Sequence, residues 1–299
     1  MHINIYLDSR WIVDIYNLDS PKIECELRKY CNLLSEIDSE NISLSNSIYN
    51  EKCIDSELLI NKIYGTENNN LRDLNLLLSV YLWRMTPLNI QVNDIQADGG
   101  LYKSDAEMAL EGNRSGGLIH NHKPSQSWWN DYSMVLVDNI KEIKKLYRVI
   151  PVFNKCSYND YLQFLELAFP NLYFLDGAKN FSKAEINDAT GNKLELFIEH
   201  FSYLNDYAQG HFNDNPQEFE KRATINLSRE SNSTKKNRDA YKKRLVTIAN
   251  HDIFCELHTK LNKQFGRIHF HIGTNLPASV NEITKGKLIV GIICKHLPT

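Results

Sequence analysis

Polar and apolar positions alternate most cleanly at the end of the chain, where strand-length runs occur at residues 253–261, 266–272 and 287–297. Successive side chains of a strand point to opposite faces. In the first run Glu256, His258 and Lys260 share one face, and Cys255, Leu257 and Leu261 take the other. The second run repeats the arrangement, with Arg267, His269 and His271 on one side and Ile268, Phe270 and Ile272 on the other. An antiparallel hairpin through residues 262–265 lines up six ionisable groups on one side of a small sheet whose opposite side is apolar. Lys295 and His296 arrive on the third strand.

Upstream the period is mostly helical. A short strand is expected at 3–7, with 11–16 extending it or starting a helix. Ile23, Leu27, Tyr30, Cys31 and Leu34 recur at helical spacing over 21–36, with Ser20 as N-cap and Pro21 in the first turn. Residues 57–64 and 70–83 read as helices, the polar stretch 38–56 as loop, and 88–95 as a weak strand. A short helix capped by Ser104 and closed by Gly112 is expected within 97–113, and a loop at 123–129. Residues 134–146 read as helix leading into a strand at 148–153. Then come a helix at 159–169, a turn and strand at 170–175, a loop from 185 to 191, a helix at 194–207, a strand at 223–227, a loop at 228–234 and a basic helix at 235–249. The fold class is α+β: a helix-rich α/β N-terminal region and a C-terminal unit with a small antiparallel β-sheet. The Gly-, Asn- and Pro-containing stretch 208–218 is the best linker, so the acidic α/β region is placed at 1–212 and the basic α+β unit at 213–299.

With 299 residues, 42% of them hydrophobic, the chain can bury the core of one large domain or two ordinary ones. No apolar run approaches the roughly 20 residues that cross a bilayer, and no secretory leader is visible at the N-terminus. The six cysteines are widely spaced, with no CxxC pair, which points to reduced thiols in a cytoplasmic protein. A net charge of −3 conceals a division. From Lys221 onward 15 Lys and Arg stand against 5 Asp and Glu, a net of +10, so the preceding residues carry −13. Concentrated positive charge is the footprint of phosphate-backbone binding; docking of the basic part on the acidic part is the plainer alternative.

There is no P-loop, GxGxxG, GxSxG, HExxH or zinc-ribbon cysteine set, so function is argued from constellations. Five of the ten histidines fall between His251 and His296, whereas solubility alone favours Lys and Glu on an edge strand. Metal-free cleavage of an RNA phosphodiester needs a base for the 2′-OH, an acid for the leaving oxygen and cations for the phosphoryl oxygens. His258 or Glu256 fits the base, His269 or His271 the acid, and Lys260, Arg267 and Lys295 the electrostatic clamp. Arg229, Lys235, Lys236 and Arg238, in the hydroxyl-rich SRESNST loop and the helix after it, extend the phosphate-contacting surface together with His296. Lys242, Lys243 and Arg244 continue the same basic run, and Glu230 joins the face if the loop folds over it. The strand histidines also have the same-side geometry of metal ligands, but Lys260 and Arg267 beside them oppose a divalent cation, so no metal and no cofactor is assigned. Asp94, Asp98, Glu107, Glu111, His120 and His122 form no recognisable motif, and Trp128 and Trp129 either stack on bases or pin a loop.

The phrases SRESNST, CELHTKL, FGRIHFHIG and GKLIVGIICKHLPT resemble the C-terminal end of a bacterial phage-defence-associated family. More distantly, a basic helix followed by strands with Lys, Arg and His on one face is similar to the RelE-type toxins, which cleave mRNA. That resemblance implies phosphate-binding roles for Lys260, Arg267 and Lys295 and proton-transfer roles for His258, His269 or His271. The expectation is an anti-phage defence or toxin-type protein acting on nucleic acid, RNA favoured, as a metal-independent ribonuclease. The alternative is a non-catalytic sensor or adaptor that binds nucleic acid or a phage protein. A partner protein of a defence system and a homo-oligomer are both compatible with either reading.

Overall fold

A computed structural model describes residues 3–37, 39–65, 71–88, 115–121, 133–186 and 193–297. The chain divides into two units, Met1–Asn154 and Lys155–Thr299, and its class is α+β. The expected helix within 97–113, the 123–129 loop, and Asp94, Asp98, Glu107, Glu111, His122, Trp128 and Trp129 lie outside the described residues.

The first unit is built on a parallel sheet. β1 (Ile5–Leu7), β2 (Ile42–Ser45), β3 (Thr86–Leu88), β4 (Ser115–Ile119) and β5 (Ser133–Leu136) are ordered β3-β2-β1-β4-β5. α1 (Ser9–Tyr16) starts at Asp8, whose carboxylate accepts from the Arg10 amide. α2 (Ser20–Ser35) is capped at Asp19, one residue before the Ser20 expected from the sequence, with Pro21 in its first turn. α3 (Leu59–Tyr64) and α4 (Arg72–Arg84) fall where the 3.6 period places them. Two elements differ from the sequence reading. The stretch 38–56 contains β2, whose Ile42 and Leu44 are buried, because a central parallel strand needs only a few residues and no alternation. The segment read as helix then strand over 134–153 is strand then helix: β5 precedes α5 (Ile140–Phe153), which begins at the Asn139 cap and buries Ile143, Leu146, Tyr147 and Ile150. Pro151 suggests an extended end to that run, but it sits inside the last turns of α5.

The second unit carries a five-stranded mixed sheet ordered β6-β12-β11-β10-β7. β6 (Leu172–Phe174) runs parallel to β12 (Leu288–Cys294), while β11 (Arg267–His271), β10 (Leu257–Lys260) and β7 (Leu227–Arg229) continue antiparallel. The expected hairpin is present in the expected register, with His258 opposite His269 and Lys260 opposite Arg267. Its turn is closed by the Asn262 carboxamide, which accepts from the Gln264 and Phe265 amides, and by Gly266 at φ +74, a conformation that favours glycine. One aromatic cluster on helix Leu194–Tyr203 and its neighbours stacks Phe181 on Phe197 at 4.6 Å and sets Phe174 edge-on to Phe201 at 5.1 Å.

The division between units falls at 154/155, and residues 155–212 belong to the C-terminal unit. The stretch 208–218 is not a linker: helix Gln209–Asp214 continues the run of helix Leu194–Tyr203 and Leu204–Ala208, and Phe212 packs edge-on against buried Phe219 at 5.4 Å. The basic helix expected over 235–249 is also rebuilt. Helices Asn232–Lys236 and Arg238–Lys242 are followed by β8 (Leu245–Ile248), which pairs with β9 (His251–Phe254). Ala249 and Asn250, both at positive φ, form the two-residue turn between them. The run 253–261 is therefore two strands, β9 and β10, parted at Cys255 and Glu256.

Cys255 is wholly buried, and Gly291 of β12 makes room for it: a Cβ at 291 would lie 2.5 Å from its Sγ and 3.1 Å from a Val246 methyl. Gly291→Ala is expected to destabilise the second unit by about 1–3 kcal/mol through overpacking, and Cys255→Ala in the same chain to recover much of that loss. Urea unfolding of the single and double variants measures both; equal stability of Gly291→Ala and wild type would refute the close approach.

Candidate functional site

The hairpin puts His258 and His269 side by side on one face, with ring centroids 5.2 Å apart. β7 adds a third residue. Ser228 lies opposite His258 in the β7–β10 ladder, so Glu230, two positions on, returns to the same face. Its backbone amide is held by the Glu256 carbonyl at 2.8 Å. Arg244, at the junction between helix Arg238–Lys242 and β8, brings the fourth group.

These groups converge on one atom. The Glu230 Oε1 lies 2.8 Å from Arg244 Nε, 3.2 Å from His258 Nδ1 and 3.3 Å from His269 Nδ1. Arg244, Glu230 and His269 are buried, whereas the His258 side chain keeps 13% of its surface exposed. Arg244 is fixed further by donating from NH1 to the Ala240 carbonyl. Burial alone would raise the Glu230 carboxyl, but the contacts with His258, His269 and Arg244 outweigh it and hold the group below the usual carboxylate range. Burial pushes His269 down to about 4, against the pull of Glu230, so its ring is neutral near pH 7. Neither ring nitrogen of His269 has an aligned hydrogen bond, nor has Nδ1 of His258 or Oε1 of Glu230. Among the described residues, Glu230, His258 and His269 form a group whose ligand atoms lie close enough to share a metal ion, all within 4.8 Å.

The other candidate residues are distributed differently. Arg267 is 6% exposed and turns its guanidinium into the hairpin, where it donates to the carbonyls of Asn262, Phe265 and Gly266; it organises the turn and does not face a substrate. His271 lies one step beyond the site, and its Nδ1 accepts from the Gly273 amide. Burial lowers its pKa, offset in part by the Glu256 carboxylate. Glu256 pairs with Lys235 at 3.4 Å. Arg229 points to the opposite face, bound to Glu220 at 2.9 Å and lying over Phe212. Lys295 pairs with Glu185 at 2.7 Å above the Phe265 ring, and His296 is exposed beyond the sheet. Lys260 is half-buried beside the site, and Lys236 and Arg238 are exposed on the two short helices. Glu230 and Arg244 were legible only as members of a loop and a basic run. The signal that finds Glu230 is its parity with Ser228 once INLSRE is read as a strand; nothing local marks Arg244 as buried.

In the first unit, His120 follows β4 and Asp8 ends β1, adjacent strands of the parallel sheet, and His120 Nδ1 stands 3.8 Å from Asp8 Oδ2. Asp8 is 1% exposed, and burial raises its carboxyl from 3.8 to about 7, opposed by the Arg10 amide and charge and reinforced by Glu51 and Asp14. A raised folded pKa gives stability that is complete below 3.8 and is lost as pH rises through 7. The first unit is thus expected to weaken between about pH 4 and pH 7, and Asp8→Asn to flatten that slope. Trp fluorescence reports this unit, since all four tryptophans precede residue 155; a urea midpoint that does not fall with rising pH in wild type would contradict the burial argument.

No family model, curated protein or solved structure matches the chain. Among the described residues no helix is long and apolar enough to cross a membrane, and Cys25, Cys31, Cys53, Cys156, Cys255 and Cys294 are not joined in disulfides.

Proposed function

We propose that this chain is an anti-phage defence or toxin-type protein acting on nucleic acid, and that its second unit cleaves RNA without a metal. The observation that carries the reading is a partly exposed His258 backed by a buried carboxylate, Glu230, which is itself anchored by Arg244. A carboxylate 3.2 Å from Nδ1 favours the tautomer that carries its proton there and leaves Nε2 to accept one. In this role His258 takes the 2′-OH proton, the 2′ oxygen attacks phosphorus to close the 2′,3′-cyclic phosphate, and the P–O5′ bond breaks, the departing 5′ oxygen taking its proton from water. Glu230 stabilises the imidazolium that forms. His269 touches Glu230 rather than solvent, so it positions the pair and is not the general acid the sequence suggested. Lys260, beside His258 on β10, and exposed Lys235, Lys236, Arg238, Lys242 and Lys243 supply positive charge for the phosphates.

The non-catalytic adaptor reading draws support from the same geometry, because Arg267 and His269 are turned inward and the basic helices bind phosphate without chemistry. Incubation with an RNA oligonucleotide and its 2′-deoxy counterpart, each with and without EDTA, separates the readings. Cleavage of RNA alone, unaffected by EDTA, supports the proposal; equal cutting of both strands, or loss of cutting in EDTA, refutes the mechanism; binding without cutting favours the adaptor.

A further inference from the structure

The cluster has a second capacity that proton transfer does not explain. We propose that Glu230 Oε1, His258 Nδ1 and His269 Nδ1 form a binding site for one divalent transition-metal ion of the zinc class. Atoms about 2.0–2.1 Å from a tetrahedral ion stand roughly 3.3–3.4 Å apart, and both nitrogens lie at that spacing from the carboxylate oxygen, 3.2 and 3.3 Å. All three ligand atoms fall within 4.8 Å of one another. None of the three makes an aligned hydrogen bond, although Glu230 and His269 are more than nine-tenths buried. An ion placed among them satisfies all three at once.

Two imidazoles and one carboxylate select a borderline ion such as zinc over magnesium or calcium, which favour oxygen donors. The Arg244 contact is compatible with ligation, because a carboxylate oxygen has two lone-pair directions and ligating carboxylates are held by outer hydrogen bonds. Of the two cations that argue against metal from the sequence, Lys260 and Arg267, the latter directs its guanidinium into the 262–266 turn. His258 is the one partly exposed ligand of the three, so the cluster is reachable from its side.

An ion on His258 Nδ1 takes the imidazole out of proton transfer, so occupancy inhibits cleavage. That consequence rests on the function proposed above; ion binding does not. The test uses untagged full-length protein stripped with a chelator, loaded with zinc and passed through gel filtration, with metal measured by mass spectrometry and cobalt absorption recorded in parallel. Wild type is expected to retain one ion per chain with a tetrahedral cobalt spectrum. His258→Gln, at a partly exposed position where the fold tolerates change, and His269→Gln are expected to retain less than a tenth of that, while His211→Gln retains it in full. Absence of a stoichiometric ion in folded wild type, or undiminished retention in both site variants, overturns the proposal. RNA cleavage followed in the same samples distinguishes the two ideas: retained ion with cleavage falling as occupancy rises upholds both, whereas retained ion with cleavage that requires it upholds the site and refutes metal-independent cleavage.

Discussion

Glu230→Ala is expected to destabilise the second unit by about 3–5 kcal/mol, the cost of leaving a buried charge without its partner. Arg244 is 2% exposed, with its Nε 2.8 Å from the carboxylate that would be lost. Its contact to the Ala240 carbonyl at 2.8 Å offsets little of a full positive charge in a medium of low dielectric. Glu230→Gln keeps the shape and an acceptor oxygen and should cost less than the alanine change. Replacing both Glu230 and Arg244 by apolar residues of similar size should be far less harmful than the sum of the two single changes, because it removes both charges together. Urea unfolding followed by circular dichroism reports both units, and Trp fluorescence the first alone, so a loss confined to the second unit appears in one signal only. A cost below about 0.5 kcal/mol, the range of ordinary surface changes, would show that Glu230 is not the anchor of this site.

His258→Gln is expected to lower RNA cleavage by about 10²–10⁴, the usual contribution of a positioned acid–base group, with little change in stability or in binding of uncleavable 2′-deoxy strand. His269→Gln should behave differently. Its side chain is 2% exposed and meets Glu230, not solvent, so substitution should cost stability and shift the pH profile of cleavage while leaving more activity than His258→Gln. If His269→Gln proved the more severe in catalysis with the fold intact, the roles assigned to the two rings would have to be exchanged.

The part of the site that follows from strand parity was legible from the sequence: His258 beside His269, and Arg267 beside Lys260, follow from two alternating runs joined by a four-residue turn. What parity cannot supply is exposure. Both faces of β11 are covered, so Arg267 and His269 are buried where a substrate-facing clamp and acid were expected. Tyr241, Leu245 and Ile248 fall at helical spacing, yet Leu245 and Ile248 belong to β8, because the following Ala249 and Asn250 turn the chain through a left-handed hairpin that neither residue announces. Arg244 sits at that misread junction and for this reason was read as a surface cation. Residues 208–218 carry linker composition, but Phe212 and Phe219 tie the segment into the second unit. In the first unit the helices were visible through their apolar stripes, whereas Ile42–Ser45 is hidden by the Asn and Ser around it and owes its strand conformation to pairing with β1 and β3.

The most direct test of the central claim is the chemistry of the cut ends. RNA incubated in EDTA with wild-type protein should yield fragments ending in 2′,3′-cyclic phosphate and beginning with 5′-hydroxyl, the products of attack by the neighbouring 2′ oxygen, and His258→Gln protein should yield almost none. Fragments that carry a 5′-phosphate and a free 3′-hydroxyl, or cyclic ends produced equally well by His258→Gln, would contradict it.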